Sequence, residues 1–143
     1  MPLHLIKLSV GPDSIDDLVH WQQQRLKEMK KTKQPQELIH PTRMWPKRAE
    51  ELLDGGSIYW VIKGMIVARQ KLLGFREVTK NDLPHCGILH DPEMILVRPT
   101  PRKAFQGWRY LEGNDAPKDR PRGDDIDEMP EEMRRELMEL GLL

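Results

Sequence analysis

Ser57-Ile58-Tyr59-Trp60-Val61-Ile62-Lys63-Gly64, followed by Met65-Ile66-Val67-Ala68-Arg69-Gln70, is the stretch that decides the fold. Ile58, Trp60 and Ile62 alternate with Tyr59, Val61 and Lys63. A two-residue period rich in β-branched and aromatic side chains reads as a central strand. Gly64 marks the turn into a partner strand over residues 65–70, and Gly74 predicts a bulge or turn before a continuation over residues 75–78. Immediately upstream, Pro46 suits the first turn of a short helix over residues 47–53, which Gly55-Gly56 ends.

Towards the N-terminus, residues 3–10 alternate as a first strand, stopped by Gly11-Pro12. Asp13 or Ser14 then caps a helix that carries Ile15, Leu18, Val19, Gln22, Leu26 and Met29 near one face. Residues 30–37 read as a loop and residues 38–40 as a short strand. Towards the C-terminus, residues 79–84 form a polar loop, and residues 87–89 and 94–97 are strands around the Asp91-Pro92 turn. Pro99 and Pro101 stop regular pairing. A last strand within residues 105–111 places Trp108 and Tyr110 on one face.

This order predicts an α+β fold: a small, twisted, mostly antiparallel sheet or a small barrel, two flanking helices and a short C-terminal helix. The predicted organisation is a single domain over residues 1–111, an acidic, proline-containing linker over 112–129, and an amphipathic helix over 130–141 whose Met133, Leu137 and Leu140 form an apolar stripe.

Composition narrows the function classes. No apolar run approaches the roughly 20 residues of a membrane span, and the first residues lack a signal-peptide layout, so a cytoplasmic protein is expected. The lone Cys86 excludes an intrachain disulfide. Formal net charge is zero, but residues 41–110 hold twelve Lys and Arg against seven acids, and residues 111–143 hold five against eleven. A basic centre suits a phosphate-bearing partner, and an acidic tail can compete for the same face.

Within that centre, aromatic residues interleave with bases, a pattern that binds single-stranded nucleic acid by stacking and phosphate contacts. The candidate phosphate contacts are Arg43, Lys47, Arg48, Lys63, Arg69 and Arg109. Tyr59 and Tyr110 are candidates for stacking, and Gln70 and Gln106 for base edges. Trp60 and Trp108 read as core. His85, Cys86, His90 and Asp91 carry ligand-type groups but match no metal spacing, so no metal or cofactor is expected. Ser57 and Cys86 lack a nucleophile-elbow frame, and Gly55-Gly56 lacks a phosphate-loop pattern.

Thr42-Arg43-Met44-Trp45-Pro46-Lys47-Arg48, with Leu53-Asp54-Gly55-Gly56 and the strand after it, resembles a bacterial family known as domain of unknown function 1489. Arg69-Gln70, Leu72-Leu73-Gly74, Asp91-Pro92 and Phe105-Gln106-Gly107-Trp108-Arg109-Tyr110-Leu111 extend the resemblance over nearly the whole chain except the tail. It implies a shared fold and a bacterial cytoplasm, and it names no reaction. The order helix, glycine, strand over residues 46–63 is also similar to pseudouridine-synthase-and-archaeosine-transglycosylase (PUA-like) barrels of the ASCH and EVE types. The leading functional expectation is a non-catalytic RNA-binding module. The alternatives are a small enzyme acting on a nucleotide or another phosphate-bearing metabolite, with Gln70, His90 or Asp91 required for turnover, and an interaction protein working through Met133, Leu137 and Leu140.

Overall fold

The computed structural model describes residues 2–9 and 13–120. The predicted C-terminal helix, with Met133, Leu137 and Leu140, lies outside the described residues. The elements are β1 (His4–Leu8), α1 (Ile15–Lys31), β2 (Leu38–Thr42), α2 (Ala49–Leu53), β3 (Ser57–Ile62), β4 (Met65–Lys80), β5 (Leu83–His90), β6 (Ile95–Pro101) and β7 (Trp108–Leu111), followed by a short 3-10 turn at Gly113–Asp115.

The strands form a mixed seven-stranded sheet in the order β2-β5-β4-β3-β1-β7, with β6 also on β4. Among the described strands only β1 and β3 pair in parallel, so the chain must cross over between them, and α1, β2 and α2 occupy that crossover. Every residue of β3 is buried because the strand is covered on both faces. Its Ile58, Trp60 and Ile62 enter a core with Leu3, Leu5, Ile15 and Leu18. Tyr59 and Val61 enter a second, smaller core with Ile6, Ile66, Val97 and Leu111.

α1 starts where Ser14 Oγ accepts from Asp17 N at 3.1 Å, and it buries Ile15, Leu18 and Gln22. α2 is shorter than expected, beginning at Ala49 rather than residue 47. The chain turns after it at Gly55, whose φ is +88°. Gly56 is a matter of space: a Cβ there would overlap the carbonyl oxygens of Leu52 and Leu3.

β4 governs the shape. Its first half pairs with β3 and β6 and its second half with β5, with an irregularity in register between Leu72 and Gly74 where the glycine predicted one. The bend curls the sheet enough to bring His40 of β2 within 5.4 Å, ring centroid to ring centroid, of Trp60 on β3, although β5 and β4 lie between these strands in the sheet. No pairing joins β2 to β3 or to β7, so the sheet is not closed, and the barrel alternative is corrected to an open, curled sheet.

Three local expectations are also corrected. Residues 79–84 are not a loop: Asn81 and Asp82, with φ of 53° and 62°, form a two-residue turn between β4 and β5. Pro99 and Pro101 lie within β6, which has only β4 as a full neighbour and so tolerates missing N–H donors. The first part of the expected linker is tied down: Arg98 N donates to Lys118 O at 2.9 Å, Arg120 N to Leu96 O at 2.8 Å, and Val97 bridges Asp119. No helix of the described residues is long and apolar enough to cross a membrane.

Candidate functional site

The residues expected to form a basic, aromatic face are distributed over several environments. Arg43 and Lys47 are exposed in the β2–α2 connection, and Lys63 is exposed in the β3–β4 turn. Arg48 is exposed but paired with Glu51 at 2.6 Å and Glu112 at 3.4 Å, and its guanidinium lies over the Tyr110 ring. Tyr110 is half-buried, with its hydroxyl accepting from Arg48 N at 3.2 Å and its ring edge-on to Trp108. Arg69 grips Asp119 through two 2.7 Å hydrogen bonds and reaches Ser57 Oγ at 2.8 Å. Gln106 and Arg109 are exposed neighbours, with the Arg109 guanidinium bonded to the Gln106 carbonyl. Tyr59 and Gln70 are interior, 3% and 0% exposed, and they lie on opposite faces of the sheet. The set therefore does not converge on one surface, because alternation along β3 and β4 sends these two residues into different cores.

A different feature converges. The curl of the sheet leaves a cavity of about 480 Å³ between the first half of α1 and the facing strands. Trp21, Gln22 and Arg25 come from α1, Leu38 and His40 from β2, Trp60 from β3 and His90 from β5. Trp60 sits between the two imidazoles, edge-on to His40 and, at 5.9 Å, to His90. Its Nε1 donates to Gln70 Oε1 at 2.9 Å. Gln70 in turn exchanges two hydrogen bonds with Gln22, at 2.7 and 3.1 Å, and its Nε2 also faces Pro92 O at 3.4 Å. This network fixes the Trp60 indole and both amides, since each member satisfies another.

His40 is different. Neither of its ring nitrogens has a hydrogen-bond partner among the described residues, and neither is sealed from solvent. Burial, reinforced by the positive charges of Lys7, Lys80 and Arg25 and by His90, pushes its pKa down to about 3. Burial pushes His90 down to about 4, with Asp91 opposing. Both are neutral imidazoles at physiological pH, each offering one donor and one acceptor. His90 Nδ1 lies 3.4 Å from Asp91 O. His85 instead faces Leu83 O, and Cys86 is a core thiol pushed up to about 11 by burial. No group of three or more His, Cys, Asp or Glu converges among the described residues.

Sequence reasoning named Gln70 and His90 but missed Gln22, Trp21, His40 and Arg25, and it read Trp60 as core alone. Two local signals were present: Gln22 interrupts the apolar face of α1, and Lys7 follows Leu3 and Leu5 on the apolar side of β1.

The architecture is that of an α+β protein with an open, curled sheet holding an aromatic and imidazole pocket against its first helix. The chain belongs to the family of proteins of unknown function designated DUF1489, whose model matches residues 5–143. No curated protein and no solved structure matches it.

Proposed function

We propose that this protein is a cytoplasmic, non-catalytic RNA-binding module that accepts an unpaired nucleobase in the pocket between α1 and the curled sheet. The observation that carries this reading is His40, a neutral imidazole with both nitrogens unengaged among the described residues, placed beside Trp60 in a cavity of about 480 Å³. Cavities of about 300–1,000 Å³ with aromatic walls and a few placed polar groups suit small planar ligands. Single-stranded RNA is read by splaying out a base, stacking it and bonding its edges. Exposed Arg43 and Lys47 remain candidates for the backbone of the same strand.

The enzyme alternative is weaker for a physical reason. General bases work best with a pKa near the operating pH, and imidazoles held near 3 and 4 are poor proton acceptors at neutrality.

Titration of the full chain with short single-stranded oligonucleotides, read by tryptophan fluorescence, tests the proposal. His40→Ala and Trp21→Ala should each weaken binding about tenfold, in line with roughly 1–3 kcal/mol per stacked or bonded base. Duplex RNA should bind more weakly than single strands. Equal binding of duplex, or no effect of His40→Ala, overturns the assignment.

A further inference from the structure

We infer that the mouth of this pocket is a phosphate site built from Lys7 and Arg25, so that the ring enters as part of a nucleotide with its phosphate held at the rim. The inference rests on the base-binding reading and names the charged group that reading leaves open.

Lys7 is the anchor of the argument. Side chains alternate along a strand, so Lys7 shares the face of Leu3 and Leu5, both in the core that contains Trp60. In register it lies beside Trp60 on the neighbouring strand. The residue is half-buried, and no carboxylate or hydrogen-bond acceptor engages its ammonium among the described residues. A partly buried, unpaired charge is costly, and a bound anion removes the cost.

Arg25 lines the cavity, with its guanidinium 5.0 Å above the exposed Trp21 ring. That contact leaves the N–H fork unengaged among the described residues, and this fork matches phosphate oxygens in pairs. The positive charge of Lys80, at the end of β4, adds to the burial that disfavours protonation of Lys7 and His40. The acid on the cavity wall is Asp17, which accepts from Asp13 N at 3.3 Å and pairs with neither Lys7 nor Arg25. His20 and His90 also line the wall. Arg25 on the cavity wall and Lys7 beside Trp60 thus have no compensating carboxylate among the described residues.

The same phosphate chemistry can come from a free mononucleotide or from a phosphodiester within RNA. Calorimetric titration of the full chain with nucleosides, nucleoside monophosphates, dinucleotides and inorganic phosphate, at low and moderate salt, separates the sources. At least one monophosphate or dinucleotide should bind about tenfold tighter than its nucleoside, as charge-assisted hydrogen bonds require. Lys7→Met and Arg25→Gln should each erase most of that advantage, while Lys27→Gln, on the exposed side of α1, should leave it intact. Arg25→Gln removes no core contact and keeps the test valid if Lys7→Met fails to fold. A dominant monophosphate identifies a terminal phosphate, and a dominant dinucleotide identifies an internal one. Equal affinity for nucleoside and nucleotide overturns the phosphate site and leaves the base pocket standing. Binding of inorganic phosphate that depends on Lys7, with no binding of any base, keeps the phosphate site and discards the base reading. Absence of binding by every probe overturns both.

Discussion

At Gln70 a single amide satisfies three groups, and its loss leaves each of them without its partner in the protein interior. Gln70 is fully buried and accepts from both Trp60 Nε1 and Gln22 Nε2 while donating back to Gln22 Oε1. Gln70→Leu should destabilise the fold by about 2–4 kcal/mol, because orphaned buried donors and acceptors each cost about 1–3 kcal/mol. Urea denaturation measures this. Adding Gln22→Leu should cost less than the sum of the two single changes, since it removes the groups the first change orphaned. The imidazoles supply a second residue-level prediction. His40 and His90 hold pKa values near 3 and 4 in the fold, against about 6.5 in an unfolded chain. Above about pH 6.5 both states are neutral and nothing is lost. Below it the unfolded chain takes up protons first, so stability falls with pH and continues to fall until the folded imidazoles protonate too. His4, lowered by burial and by Arg69, acts in the same direction. The urea midpoint should therefore drop between pH 6.5 and pH 4 by an amount worth on the order of a few kcal/mol, and His40→Phe should flatten that slope. An unchanged midpoint across this range contradicts the buried, neutral state.

Among the elements, the β4–β5 hairpin offers a gain in stability. Asn81 and Asp82 both adopt positive φ, which asparagine tolerates and aspartate tolerates less well than glycine. Asp82→Gly should raise stability by about 0.5–1 kcal/mol in thermal melts, without touching the pocket. This turn also marks a limit of sequence reading. The polar run around Asn81-Asp82 resembles a loop because composition cannot distinguish a long connection from a tight one; positive φ at two successive residues does. The alternation of β3, the capped apolar face of α1, and the bulge at Gly74 were legible because each depends on neighbours within a few residues. The pocket was not. It exists because β4 bends and carries β2 round towards β3, and no periodicity reports the distance between His40 and Trp60. Only Gln22 and Lys7, polar residues on apolar faces, gave local notice of it. Arg69 looks available in sequence because its partner Asp119 lies fifty residues away, whereas Arg48 pairs first with Glu51, three residues on, and only then with the distant Glu112.

For the molecule as a whole, residues 116–120 act as a strap along β6, and the Arg69–Asp119 pair is its buckle. Exposed ion pairs contribute little, about 0–1 kcal/mol, but this one is bidentate and joined to two backbone hydrogen bonds. Asp119→Asn should therefore lower global stability only slightly, while hydrogen exchange at the Arg98 and Arg120 amides rises markedly. Exchange at those sites that matches the unaltered protein would assign the strap's order to the backbone contacts alone. The parallel pairing of β1 with β3, and the antiparallel pairing of His4 with Leu111, set a constraint on assembly in time. β4 and β5 form a local hairpin as soon as they exist, but β1 must wait for β3 and then for β7, nearly the full described chain later. Loop closure over such separations slows folding, whereas the β3–β4 and β4–β5 hairpins, which hold a large share of the sheet's contacts, close locally. On the ribosome, β1 is synthesised before both of its partners, so until residue 111 emerges its hydrogen-bonding edge is open to other nascent chains.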